Sequence, residues 1–141
     1  MRTKIQAVTI ACAIAAGTVL FGAPTASAAG YYCDSSGYMA DNTPMKRCTS
    51  LSNGVLAHWK SYGTGTSTNI TTNYSKTGGS TVSVRVGYGL GSSTVYSSYF
   101  SIASGQTKGK TWNKTGDYYC SSSTGLLNYS GGTFQTPSAH C

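Results

Sequence analysis

The sequence predicts an all-β protein: a small antiparallel β-sandwich, or partly open barrel, of about six to eight short strands stapled by two disulfides. Three observations lead there. Apolar residues alternate, most clearly in residues 81–90, where Val82, Val84, Val86, Tyr88 and Leu90 occupy every second position. An extended chain puts all five on one face, whereas a helix scatters them. The composition is that of strands and turns, with 11 Tyr and 18 Gly in 141 residues and no Glu at all. Runs of Leu, Ala, Glu and Lys, the residues that fill helices, are missing. Finally, Cys33, Cys48, Cys120 and Cys141 form an even set behind an export signal, which reads as two disulfides in an oxidising compartment.

The export signal is expected over residues 1–28. Arg2 and Lys4 give a positive start, residues 5–22 are mostly apolar, and Ala26-Ser27-Ala28 supplies the small residues of a cleavage site. Gln6, Gly17 and Gly22 interrupt the apolar run, which argues against a retained membrane anchor, and Cys12 lies too early in it to be a lipidation site. Residues 29–47 then form an irregular N-terminal arm, because Asp34-Ser35-Ser36-Gly37 and Asp41-Asn42-Thr43-Pro44 are turn sequences with little periodicity. A single β domain is expected over residues 48–141.

Within it, residues 49–52 and 55–62 flank Asn53-Gly54, a dipeptide suited to the positive φ angles of a type I′ hairpin turn. Leu56, His58, Lys60 and Tyr62 share one face of the second strand and Val55, Ala57 and Trp59 the other, with Trp59 expected in the core. Residues 68–76 alternate Ile70, Thr72 and Tyr74 against Asn69, Thr71 and Asn73, and Thr77-Gly78-Gly79 leads into residues 81–90. That strand is expected at the centre of a sheet, reached by a meander of hairpins. Residues 94–103 place Tyr96, Ser98, Phe100 and Ile102 on the inner face. Residues 107–113 carry Lys108, Lys110 and Trp112 on one side, with Lys114 following. Short strands over 118–121, 126–129 and 133–136 complete the pattern.

The cysteines allow three pairings, between which the sequence does not choose. Spacings of 15, 72 and 21 residues contain no C-x-x-C knuckle, so no metal site is expected. No cofactor is expected either: Gly87-Tyr88-Gly89-Leu90-Gly91 lacks a Lys-Ser/Thr continuation and precedes no helix.

The inventory also argues against catalysis. The only carboxyl side chains are Asp34, Asp41 and Asp117, each in a turn, and the only histidines are His58 and His140. General acid–base chemistry and serine triads ask for more than this supplies. The remaining reading is binding. Tyr, Trp, Ser, Gly and Asn together offer rigid amphipathic area and adaptable hydrogen bonds. Without the signal, eight basic residues face three aspartates, an excess that favours anionic partners outside the cell. Lys108, Lys110, Trp112, Lys114, Tyr118 and Tyr119 form the candidate binding surface. The expected protein is therefore secreted and non-catalytic, extracellular or attached to the cell surface. It would bind a cell-wall polymer, a polysaccharide or another extracellular protein, without nucleic acid and without stable membrane insertion. Two alternatives are a cationic, bacteriocin-like toxin acting through the same lysines, and a protease inhibitor presenting Lys46 or Arg47. Oligomeric state and ligand identity are not encoded in these patterns.

Overall fold

A computed structural model describes residues 30–141, so the predicted export signal at 1–28 lies outside the described residues. The described residues are all-β, with nine strands and no helix. The strands form two antiparallel sheets, the sandwich that the alternation predicted. The first sheet has the order β1 (Lys46–Leu51), β2 (Gly54–Tyr62), β3 (Ser67–Lys76), β7 (Thr107–Thr115). The second has the order β5 (Ser93–Tyr96), β4 (Val82–Leu90), β8 (Ser123–Tyr129), β9 (Gly132–Gln135), and β6 (Phe100–Ile102) also pairs with β4. The expected meander therefore stops at β3. The chain crosses to the second sheet for β4, returns for β7 and crosses again for β8.

The turn between β1 and β2 is displaced by one residue from the expected Asn53-Gly54. Leu51 pairs with Gly54, leaving Ser52-Asn53 as the two-residue loop. Asn53 does not take a positive φ, since Asn42 is the one described non-glycine residue that does. The Asn53 carbonyl instead accepts hydrogen bonds from the Thr77 and Gly78 amides and the Tyr74 hydroxyl, tying the hairpin to the point where the chain leaves the first sheet. β1 begins at Lys46, inside the expected arm. The rest of the arm is irregular and crosses the outer face of the first sheet.

The core follows the strand phase. Leu56, Tyr74, Val84, Val86, Ile102 and Leu127 form one buried cluster, and Ile70, Tyr88 and Leu90 a second, with Trp112 packed against both. Each fully buried aliphatic side chain contributes about 1.5–3 kcal/mol. Two expected facings are corrected. Trp59 lies on the outer face of β2, where Tyr31 of the arm meets it edge-on at 6.2 Å between ring centres; the inner row of β2 is Leu56, His58 and Lys60. Tyr96 also faces outward, because it pairs with Gly87, whereas Phe100 and Ile102 pair with Val84 and Val82 and face inward. The single alternation expected over 94–103 fails because Ser97-Ser98-Tyr99 is a connection between two strands. Ser97 pairs both its amide and its hydroxyl with the backbone of Val86, which resets the phase.

The inner layer is not uniformly apolar. His58 is fully buried, with the hydroxyls of Thr72 and Ser123 each 2.9 Å from a ring nitrogen. Gly125 sits opposite: a Cβ there would come within 2.5 Å of His58 Cβ, so only glycine allows the sheets to approach this closely. Lys60 is buried beside this polar seam, and Lys76 is buried at the far end of β3, where its ammonium donates to the Gly78 carbonyl. The disulfides take the local pairing, Cys33 with Cys48 and Cys120 with Cys141. The first ties the arm to β1 and the second ties the C-terminal tail to the connection between β7 and β8.

Candidate binding groove

An open groove of about 780 Å³ runs along the end of the sandwich where the polar seam meets the surface. One wall is the β4–β5 hairpin. Its inner-facing Tyr88, Leu90 and Val95 give an apolar patch, and Ser93 and Thr94 add hydroxyls. The other wall is the connection between β7 and β8, with Tyr118, Ser121 and Ser122, continued by Ser123 and Thr124 at the start of β8. Lys114, near the end of β7, closes one side with its ammonium 5.0 Å from the centre of the Tyr118 ring, a distance at which the cation and the π-face attract. None of the lining residues is acidic.

This second wall is irregular backbone, yet it is braced on three sides. Beneath it, the buried Lys60 ammonium donates to the carbonyls of Tyr118 and Ser121. Burial lowers the Lys60 pKa to about 8, since taking an ammonium out of water favours its neutral form. Towards the first sheet, the Thr68 hydroxyl accepts from the Tyr118 amide at 2.9 Å and donates to the Gly116 carbonyl at 3.0 Å. On the outside, the tail is held by the Cys120–Cys141 disulfide, by a Ser122–Ser138 hydroxyl pair at 2.5 Å and by backbone pairing of Ser123 with Ala139.

The six residues of the candidate surface divide among several environments. Lys114 and Tyr118 line the groove. Trp112 shares the row of Lys114 on β7 but packs inward, edge-on to Tyr88 at 5.1 Å, and so supports the groove's apolar wall from behind. Lys110 stands over Trp112 at 5.7 Å, and Lys108 donates to the Ser101 carbonyl at 2.8 Å, farther along the strand. Tyr119 points away and stacks on Tyr62, with ring centres 4.3 Å apart. Sequence reasoning missed the β4–β5 wall, whose Tyr88 and Leu90 read simply as core. It also missed the run Ser121-Ser122-Ser123-Thr124, whose cluster of hydroxyls beside Cys120 was the available signal.

Both histidines, two of the aspartates and the Lys46-Arg47 pair are engaged structurally. His58 is sealed between the sheets, and desolvation, reinforced by the charge of Lys60, pushes its pKa down to about 3. His140 is exposed beside the terminal carbonyl of Cys141. Asp34 accepts the amides of Ser36 and Tyr38, as a turn former does. Lys46 pairs with Asp41, whose carboxyl is held below its usual range mainly by that hydrogen bond. Arg47 lies against Tyr38 and donates to the Ser36 carbonyl. Lys46 and Arg47 thus belong to a paired strand fastened to the arm, rather than to a protruding loop. No His, Cys, Asp or Glu cluster suited to a metal occurs among the described residues. In comparison with known proteins, the chain matches no family model, no curated protein and no solved structure.

Proposed function

We propose that this is a secreted, non-catalytic binding protein whose groove takes a hydroxyl-rich polymer of the extracellular space, such as a cell-wall polymer or polysaccharide. The observation that carries this reading is the pairing of the Tyr118 ring and the Lys114 ammonium with an apolar wall and a rim of Ser and Thr hydroxyls. An aromatic face suits the apolar side of a sugar ring, the hydroxyls exchange hydrogen bonds with its OH groups, and one cation tolerates anionic substituents. An open shape accommodates a chain passing through. Export rests on the signal pattern of residues 1–28 and agrees with the two disulfides.

Retention of the oxidised protein on cell walls and insoluble polysaccharides at low salt, measured against a neutral control protein, tests this directly. Tyr118→Ala and Lys114→Ala should each weaken retention about tenfold, equivalent to about 1.4 kcal/mol. Retention no better than the control would overturn the reading. Growth inhibition of other cells that disappears on replacing Lys108 and Lys110 would favour the cationic toxin instead.

A further inference from the structure

The outer face of the second sheet carries a second, separately built arrangement around Arg85. Its guanidinium carbon lies 4.3 Å from the centre of the Tyr96 ring and 5.0 Å from that of Tyr99. Arg85 Nε donates to Asn128 Oδ1 at 3.0 Å, and the same oxygen accepts the Tyr99 hydroxyl at 2.7 Å. The Asn128 amide nitrogen donates to Thr133 Oγ1 at 2.8 Å, which fixes the orientation of the amide. Four elements therefore converge on one side chain: β4 supplies Arg85, β5 Tyr96, β8 Asn128 and the connection after β5 Tyr99. Gly87 makes room for this, since a Cβ there would come within 2.6 Å of the Tyr96 ring. The same Ser97 contacts that reset the strand phase return Tyr99 over Arg85.

Such a guanidinium is oriented but not neutralised. The one ion pair among the described residues is Lys46–Asp41, and Asp34 and Asp117 are bound in turns elsewhere. Among the described residues only Nε of Arg85 has a hydrogen-bond partner, which leaves the N–H groups of both Nη atoms to bind a ligand. Arg47 makes the contrast. It too lies against a tyrosine, at 3.8 Å, but its Nη2 is spent on the Ser36 carbonyl and its Nε is buried. Arg47 fastens the arm, whereas Arg85 is held with its donors open. Tyr99, 54% exposed, leaves much of its ring beside them uncovered.

We propose that Arg85, with Tyr96, Tyr99 and Asn128, is a subsite for a carboxylate-bearing sugar, a uronate unit of an acidic polysaccharide. A planar guanidinium fork matches a planar carboxylate through two parallel hydrogen bonds. A single cation matches a monoanion better than a phosphate dianion. The exposed face of Tyr99 is then placed to cover the sugar ring. Rotamer entropy is already lost in the free protein, which lowers the cost of binding. The subsite does not depend on occupancy of the groove: on β4, the nearest groove-lining residue on the same face is Gly89, four positions from Arg85, or about 13 Å along a strand.

Titration calorimetry of the oxidised protein with trigalacturonic acid at low salt tests the proposal, alongside a sulfated oligosaccharide and a neutral one of equal length. Thermal denaturation verifies that each variant is folded. The unmodified protein should prefer the uronate oligomer. Arg85→Gln should weaken it at least tenfold, Arg85→Lys nearly as much because lysine keeps the charge without the fork, and Tyr99→Ala several-fold. Lys46→Gln, a charge loss on β1 away from both sites, should leave uronate affinity unchanged, while retention on neutral insoluble polysaccharide reports the groove, so failure of this subsite and failure of the groove are read separately. Full affinity in Arg85→Gln, an equal loss in Lys46→Gln, or equal affinity for the sulfated oligomer would each overturn it.

Discussion

His58 shows how one side chain both organises the interior and sets a response to pH. Its strand phase, with Leu56 and Lys60 on the same face, was legible from sequence. Its burial was not, because Thr72 and Ser123, whose hydroxyls satisfy the ring, come from different strands, and Ser123 lies in the opposite sheet. With its pKa lowered from 6.5 to about 3, the folded state binds fewer protons than the unfolded chain between these values. Stability from the neutral ring is thus complete above pH 6.5 and lost as pH falls towards 3, by up to about 1.4 kcal/mol per unit. The melting temperature should therefore drop by roughly 5 °C or more per pH unit below 6.5. In His58→Asn this slope should flatten while stability at neutral pH falls, and thermal melts across the pH series measure both. An unchanged slope in the variant would assign the acid sensitivity to other groups.

β4 is the element on which this molecule is most clearly divided into a folding face and a surface face. Val82, Val84, Val86, Tyr88 and Leu90 turn towards the first sheet, and Ser83, Arg85, Gly87 and Gly89 away from it. Val84→Asp would put an unpaired carboxylate at a fully buried position, a cost above about 4 kcal/mol, and should abolish secretion of folded protein. Arg85→Ala should be secreted and melt within a few degrees of the parent. Equal tolerance of the two substitutions, judged by secreted yield and thermal melts, would mean that the facing is wrong. This strand was readable because nine consecutive residues obey one period. β5 and β6 were not, because the Ser97-Ser98-Tyr99 connection between them contains no glycine or proline to mark a break in phase.

For the whole molecule, the two disulfides fasten different segments onto one sandwich, the first the N-terminal arm and the second the C-terminal tail. Each closes a short loop, with cysteines 15 and 21 residues apart, and each contributes about 3 kcal/mol in the chain-entropy account. Replacing either pair with serine should lower the melting temperature by roughly 10–20 °C. Only Cys120→Ser with Cys141→Ser should also weaken retention on polysaccharide at temperatures where the protein is still folded, because that bridge holds the wall bearing Tyr118. Equal retention by both double variants would show that the wall keeps its shape without it. The sequence by itself determined the β class, the facing of most strands, the number of disulfides and the lysine row of β7. Each is written in the identity or spacing of nearby residues, which a period of two or a simple count can read. Tertiary structure alone decided the disulfide pairing, the sheet that each strand joins, and the meeting of Lys114 and Tyr118 with the β4–β5 wall. The same holds for the gathering of Tyr96, Tyr99 and Asn128 around Arg85. These depend on which distant segments pair once both apolar faces are buried together, and local alternation carries no information about partners so far along the chain.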